Sequence, residues 1–477
     1  MNIFCGAGTN GRKFISLWKE CGLKVDCFVD NNSELWGKEI EGVYVKSYEE
    51  VTEFPKDSCF YITITSSVDA VKEQLLSQGI REEQIKDCSR ISKAVGCAIH
   101  QPEFNAKIAT VSPIWENDSG RILFDLQGGL VLGGVESWSA QTARNLQKSG
   151  WETGFLLSGS SAKTTIKDRG DWSKENLVAV RFHDNMPEYE RIACLSSQIA
   201  EAGCRNIIVN FIGYNLAAAC LVKRNYPDKI RVIAIVHNDE DVYYECYKLF
   251  ENYIDRFLFI SQRIKNRMLE SGFKEEKLEY LPWEIACEER LIRTYTVFGE
   301  LLRIGYAGRI ELCQKRLDRM ISIAKLLKEM RIHFRLEIAG SGSYEEELKQ
   351  QIKENGLEDA IQLVGRLNSA DISEFWKRQD IMVSCSDWEG HSISQGEAMA
   401  NGAVPIVTDV SGVRDDIKDG ENGFIVEVGS VEQIVEKIVY LYEHRELLPI
   451  MGEKAYQTIL INNNRKKLEK LWQNILM

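Results

Sequence analysis

The sequence predicts an α/β protein built on doubly wound, largely parallel sheets. Apolar strand-like runs recur along the chain, each feeding a glycine-rich turn and then an amphipathic helix. The runs are continuous rather than alternating, as strands covered on both faces require. The alternation restarts three times within 477 residues, a length that itself calls for about three domains.

The first block covers residues 1–95. It runs from NIFC through the turn GAGTNG into a helix, then VDCFVD, a hairpin-like EIEGVYVKSYEE, CFYITIT and a helix over Val68–Ser77. The periodicity fades after Ser92, and residues 96–120 are expected to be a linker. The second block, 121–298, opens with RILFDLQGGLVLGGVE and an amphipathic helix. It continues through GFLLSG, VAVRF, a helix holding Ile192–Ala200, IIVNF, a helix over Asn215–Arg224, VIAIVHND, FLFIS and the helix QRIKNRMLESG. The third, 299–460, runs LLRIGYAGRI, helix, FRLEIAGSG, helix, IQLVGRL, helix, IMVSCS, then EGHSISQGE and AVPIVTDVSGVRDDIKDGENGFIVEV with a closing helix from Val431. Residues 461–477 are expected to form a helix packing back on the second block.

A net charge of −12 and a pI near 5.3 argue against nucleic acid as the partner, since that would need concentrated Lys and Arg. Local basic runs, such as NRKKLEK from Asn464 to Lys470, leave peripheral contact with an anionic membrane open, although a solvated helix face is the ordinary reading of such runs. No apolar run has bilayer-spanning length, and Met1 leads straight into a strand, so a cytoplasmic protein is expected. The 13 cysteines show no CxxC and no Cys/His cluster, which fits reduced thiols. Neither a metal nor a cofactor is expected.

The most informative stretch is DWEGHSISQGE, residues 387–397. Glu389 stands just before an expected helix start, and Glu397 lies eight positions later on that helix. Eight residues of helix rise roughly 12 Å, comparable to the span from a sugar across a diphosphate to a ribose. Between them the backbone N–H groups of Gly390, His391, Ser392 and Ile393 point out of the helix start, a natural seat for a diphosphate. The pattern also arises by chance, because EGHSIS is a common way to enter a helix.

Other candidates fall at strand ends, where ligands bind in doubly wound sheets. Arg309 follows the strand IGYAG and Lys315 lies six residues on; two fixed cations would stabilise a departing diphosphate without a metal. Gly340, Ser341 and Gly342 follow LEIA, and Gly365 and Arg366 follow IQLV.

These motifs make residues 121 to about 460 resemble the family 4 glycosyltransferases, retaining enzymes of the GT-B fold, in which two facing Rossmann-like domains bind a nucleotide sugar. The matching stretches are GGVE at 133–136, AGR with the later lysine at 307–315, AGSGSYEEEL at 339–348, EGHSISQGE at 389–397 and AVPIV…GV…I.DGENGF at 403–424. The resemblance implies that Glu389 contacts donor-sugar hydroxyls and Glu397 the ribose, while Arg309 and Lys315 hold the diphosphate with the backbone of Gly390–Ile393. Arg366 and Leu367 would edge the base, and Gly133 and Gly134 would close over the donor. His237, after VIAIV, matches a histidine placed near the transferring carbon, where it would bind the sugar and stabilise charge without acting as a nucleophile.

For retaining members the resemblance further implies front-face transfer, in which the leaving diphosphate helps to remove the acceptor's proton. The implied partners are a nucleotide-sugar donor, UDP favoured, and a carbohydrate, lipid-linked or protein hydroxyl acceptor. DED at 239–241 could hold Mg²⁺ in single-domain glycosyltransferases, but here it reads as a cap on the next segment. Another nucleotide-sugar activity such as an epimerase, and a non-catalytic binding scaffold, are the competing readings.

The first 95 residues lie outside this resemblance. Gly6, Gly8 and Gly11 fit G-x-G-x-x-G between a strand and a helix, and Asp30 ends VDCFVD where a ribose-binding acid would sit. A small Rossmann-like domain is expected, with a nucleotide site, a degenerate site or an assembly module as its three readings.

Overall fold

The computed structural model describes residues 1–20, 22–98, 101–103, 115, 120–127, 134–159, 176–181, 186–281, 284–462 and 465–476. Gly133 and most of the expected 96–120 linker lie outside them. The chain divides into two compact units. One is Met1–Leu132, Ser139–Ile235 and Glu240–Phe257; the other is Gly133–Trp138, Val236–Asp239 and Leu258–Met477.

The first unit begins with a six-stranded sheet: β1 (Asn2–Cys5), β2 (Cys27–Val29), β3 (Glu39–Ile40), β4 (Val43–Lys46), β5 (Cys59–Ile62) and β6 (Ile85–Asp87), ordered β3-β4-β2-β1-β5-β6. Pairing is parallel except for the β3–β4 hairpin. Helix Thr9–Glu20 buries Phe14, Ile15, Leu17 and Trp18 on one face, and the Trp18 indole stands edge-on to Phe4 and Tyr61. Its entry needs glycine twice: Gly6 has φ +110°, and a Cβ on Gly11 would run into the Gly6 carbonyl oxygen.

The chain does not become a free linker after Ser92. Residues Ile91–Ala98 form a helix packed against helices Tyr214–Asn225 and Asp241–Phe250. With Gly96 in eight residues its intrinsic propensity is modest, so tertiary packing decides the outcome. Gly96 lets the backbone approach Leu249 and Phe250. Lys93, 2% exposed, is ion-paired with both Asp87 and Glu245.

The next sheet contains β7 (Ile122–Gln127), β8 (Thr153–Gly159), β9 (Asn176–Arg181), β10 (Asn206–Val209) and β11 (Arg231–Val236), parallel and ordered β11-β10-β7-β8-β9. Strands β12 (Arg256–Phe259) and β13 (Leu278–Tyr280) extend it beyond β11. Helix Asp241–Phe250 is not expected from the sequence, because the aromatic-rich DVYYECYKLF has the composition of a strand.

The second unit holds a fully parallel sheet of β14 (Leu302–Ala307), β15 (Phe334–Ala339), β16 (Ile361–Gly365), β17 (Ile381–Ser384), β18 (Val404–Thr408) and β19 (Phe424–Val426). The order β16-β15-β14-β17-β18-β19 reverses direction between β14 and β17, which makes their carboxyl ends the topological switch point. Helix Leu447–Asn462 is not named from the sequence, and it contains Pro449 and Gly452, both of low helix propensity. Pro449 falls in the first turn, where its missing N–H costs nothing. Gly452 is required because a Cβ there would overlap the Gly402 carbonyl and the Tyr295 hydroxyl. Helix Arg465–Leu476 follows, with the Trp472 ring 6.4 Å from that of Trp138.

Candidate active site

The site grows from the two strands flanking the switch point. After β14 the chain turns through Gly308–Arg316; after β17 it turns through Cys385–Gly390. The first turn is braced from below: Gly308 N donates to Ala339 O at 3.0 Å, Ile310 N to Ser341 O at 3.0 Å, and Tyr306 Oη to Arg309 O at 2.9 Å. Cβ atoms on Gly340 and Gly342 would overlap the carbonyls of Gly308 and Ile310, so the glycines of AGSG serve close backbone approach.

Lys315 and Glu389 meet as an ion pair across these turns, with side chains 17% and 9% exposed. Glu389 Oε1 also accepts from Ser386 Oγ at 2.7 Å, and Oε2 from Gln314 Nε2 at 3.3 Å. Gln314 reaches further, donating to Trp388 O at 2.9 Å and accepting from Arg309 Nη2 at 2.6 Å. Arg309 lies at the solvent edge, its other nitrogen on Glu311 Oε2 at 3.0 Å. Arg309, Lys315 and Glu389 are therefore joined through Gln314. Burial pushes the neighbouring Tyr306 phenol well above its usual range, reinforced by the Glu389 and Glu311 charges.

Helix Ile393–Ala400 begins three residues later than expected, with Ser392 as N-cap accepting from Gln395 N at 3.3 Å. Glu389 precedes this cap and Glu397 lies within the helix, so the two carboxylates sit on either side of the helix start. Glu397 lacks the partners that Glu389 has: desolvation alone raises its pKa to about 7, and its carboxylate has no hydrogen-bond partner among the described residues. Gly390 packs directly on the chain at His237, where a Cβ would strike the His237 carbonyl oxygen. Gly134 approaches Ile393 similarly, its Cβ position 3.2 Å from Ile393 Cδ1.

His237 is 6% exposed, with Trp138 edge-on at 5.7 Å between ring centroids. Desolvation lowers its pKa to about 3, so its imidazole is neutral. The His391 ring turns away from the helix start, with Nδ1 2.9 Å from Ile260 O and Nε2 2.6 Å from Asp416 Oδ2. Burial opposes its charge, but the Asp416 carboxylate and the Ile260 carbonyl outweigh that and raise its pKa to about 9. Only the backbone of His391 is thus available to a ligand. Arg366 and Leu367 follow β16 at the sheet edge, and no hydrogen bond or ion pair joins them to the Lys315 group among the described residues.

Gln314 and Asp416 carry no sequence signal of their own, because each acts on a residue far away in the chain, while Ser386 reaches Glu389 within the same turn. Asp239, of the DED triplet, is taken up by ion pairs with Arg263 and Arg267 at 3.3 and 2.9 Å. Among the described residues no three His, Cys, Asp or Glu side chains converge as a metal would require, and no helix is long and apolar enough to cross a membrane.

In the first sheet, the glycine turn and helix of residues 6–20 form as expected, and Gly8 borders open space. Asp30 points back into the turn, accepting from Ala7 N at 2.8 Å through one oxygen and from Asn32 N at 2.8 Å through the other.

Residues 289–458 match the family Glycosyl transferases group 1, and residues 2–86 match the family C2185-like, N-terminal. The poly(ribitol-phosphate) alpha-N-acetylglucosaminyltransferase of Staphylococcus aureus (strain COL) is 26% identical over 175 residues, 36% of this chain and 34% of that one. The putative glycosyltransferase EpsD of Bacillus subtilis (strain 168) is 31% identical over 157 residues, 33% and 41% of the two chains. The UDP-N-acetylglucosamine–peptide N-acetylglucosaminyltransferase GtfA subunit of Streptococcus gordonii is 24% identical over 271 residues, 51% of each. The chain thus spans between a third and a half of these curated relatives' lengths.

Among solved structures, a mutant of S. aureus TarM bound to Fondaparinux, alpha-GlcNAc-glycerol and UDP aligns with a TM-score of 0.61 and 13% identity over 75% of this chain and 99% of that one. Anabaena HepE with UDP and glucose aligns with a TM-score of 0.60 and 15% identity over 74% and 99%. The fold is α/β, of the GT-B type. Residues 289–458, which hold the Lys315–Glu389 pair at their switch point, are the part of the chain that matches the Glycosyl transferases group 1 family.

Proposed function

We propose that the protein is a retaining, metal-independent glycosyltransferase that moves a sugar from a nucleotide diphosphate sugar, UDP-linked by preference, to a hydroxyl of a glycan, glycolipid or glycoprotein. The observation that carries the proposal is the Lys315–Glu389–Gln314–Arg309 group at the β14/β17 switch point, next to the start of helix Ile393–Ala400. A diphosphate held there meets two cations and the free N–H groups of a helix start, which together stabilise the charge released when the sugar–phosphate bond breaks. Glu389, paired with Lys315, is suited to accept hydrogen bonds from sugar hydroxyls. Glu397, desolvated and without a partner among the described residues, is suited to take the ribose hydroxyls.

Several names support the donor and acceptor classes. UDP occupies TarM and HepE, and the first relatives are named for transfer to poly(ribitol-phosphate) and to peptide. Gly134 lies close to Ile393 and His237 to Gly390, which supports assigning them, with Gly133, to closing over the donor. We further read residues 1–95, 121–298 and 299–460 as three domains, with the protein cytoplasmic and in peripheral contact with the membrane where its acceptor lies.

The test is release of nucleotide from a panel of UDP, GDP, ADP and dTDP sugars, with and without EDTA. Turnover of at least one donor, insensitive to EDTA and lost in Lys315→Ala, is the expected result. Interconversion of the donor sugar without nucleotide release would establish the epimerase reading instead, and tight binding without turnover the scaffold reading.

A further inference from the structure

We propose that Asp387 is a positioning residue of the donor site, one that holds Lys315 against Glu389 by lashing the β14 turn to the β17 turn; the role in catalysis rests on the glycosyltransferase reading. Asp387 lies two residues before Glu389, yet its carboxylate faces elsewhere. Oδ2 accepts from Arg316 Nη1 at 3.0 Å and Oδ1 from Arg319 Nη1 at 2.5 Å. Its own N–H donates to Gln314 O at 2.9 Å. Arg319 Nη1 also reaches Cys385 O at 2.8 Å, and Gln314 Nε2 reaches Trp388 O at 2.9 Å. Five hydrogen bonds therefore join residues 314–319 to residues 385–388, immediately beside the Lys315–Glu389 contact.

The local backbone shows that this join is imposed and not relaxed. Arg316 has φ +52°, a left-handed conformation that a non-glycine residue keeps only when its surroundings hold it. What holds it is a double fork. Arg316 Nε and Nη2 pair with Asp318 at 3.0 and 2.8 Å, and Nη1 with Asp387. Turning Arg316 this way sends it to Asp387 while the residue before it, Lys315, goes to Glu389. Asp387 is 23% exposed and Arg319 12%, so the charges are shielded enough for the geometry to matter. Both oxygens of Asp387 are occupied by guanidinium groups, and none of its hydrogen bonds goes to Lys315, Arg309 or Glu389; its influence on the donor passes through the placement of Lys315.

The test compares Asp387→Asn, of equal size but uncharged, with Asp387→Glu and Lys315→Ala, alone and combined. Because misplacing a charge-stabilising group by about an ångström costs up to about a hundredfold, Asp387→Asn is expected to lower kcat for donor turnover about ten- to a hundredfold. In the Lys315→Ala background the same change should cost less than about twofold, since a residue that acts through Lys315 has nothing left to place. Asp387→Glu should restore part of the loss.

A second readout does not depend on activity. Acetylation of Lys315 by an N-hydroxysuccinimide ester, followed by mass spectrometry, should be several-fold faster in Asp387→Asn than in wild type, with the surface Lys328 unchanged as reference. Additive losses in the two backgrounds, or an unchanged Lys315 labelling rate, would overturn the proposal. Absence of turnover in the wild-type protein would instead remove the glycosyltransferase reading, and the labelling rates would still decide whether Asp387 places Lys315.

Discussion

Replacing Glu397 by Gln should make the protein more stable at neutral and alkaline pH while weakening its grip on nucleotide. Desolvation holds the Glu397 carboxyl at a pKa of about 7, against 4.5 for an exposed glutamate. Below about pH 4.5 the group is protonated in both folded and unfolded chains and costs nothing. As pH rises toward 7 the unfolded chain ionises first, so folding stability falls by about 1.4 kcal/mol per pH unit and then levels off. Integrated, the penalty is under about 1 kcal/mol at pH 5 and about 3 kcal/mol at pH 8. Gln has the same shape and no charge, so Glu397→Gln should recover that amount. For a body of this size, about 3 kcal/mol corresponds to a rise in Tm of roughly 5–10 °C at pH 8, and a rise of only a degree or two at pH 5.

The assay is thermal unfolding of both proteins across pH 5–9, paired with calorimetric titration of UDP at pH 8. Hydrogen bonds to a charged acceptor contribute about 1.5–3 kcal/mol, so UDP affinity should drop roughly ten- to a hundredfold. Parallel Tm profiles for the two proteins would refute the desolvation argument, and unchanged UDP affinity would refute the ribose role of Glu397.

Lys315→Ala strands the buried Glu389 carboxylate beside Ser386 and Gln314, and should cost about 2–4 kcal/mol in denaturant unfolding as well as about a hundredfold or more in turnover. The His391–Asp416 pair, with the imidazole raised to about 9, contributes stability in full below pH 6.5 and loses it as pH climbs through 9; Tm should fall over that interval, and Asp416→Asn should flatten the fall. Gly390→Ala drives a methyl into the His237 carbonyl and should destabilise the unit by at least about 2 kcal/mol, measured by urea unfolding, with Gly420→Ala, at φ +76° in open space, giving a smaller loss from backbone strain alone.

The glutamate spacing, the two cations and the glycine turns were readable in the chain because they depend on local order: a strand ends, a turn follows, a helix starts. The Ser392 cap and the bounds of helix Val68–Ser77 fall in the same category. What connects those parts was hidden. Gln314 bonds to Glu389 75 residues away, and Asp416 to His391 25 residues away, and no periodicity reports such pairs. Two helices escaped notice for opposite reasons. Asp241–Phe250 has strand-like composition, and Leu447–Asn462 carries Pro449 and Gly452, whose cost is removed by a first-turn position and by packing under Gly402 and Tyr295. Residues 96–98, read as the beginning of a linker, belong to a helix because Gly96, and Lys93 on the same helix, find partners that only the folded unit supplies.

That helix alters what can be removed from the protein. A chain shortened to begin at residue 121 would retain Lys315, Glu389 and Glu397, yet it would strip the cover from Leu249 and Phe250 and leave Glu245 without its lysine. The scar would be an apolar stripe on the helix that starts four residues after His237. Shortened versions should therefore clump or lose solubility before they lose any donor-site group, and residues 1–98 are better regarded as a keystone of the sheet that follows than as a passenger in front of it.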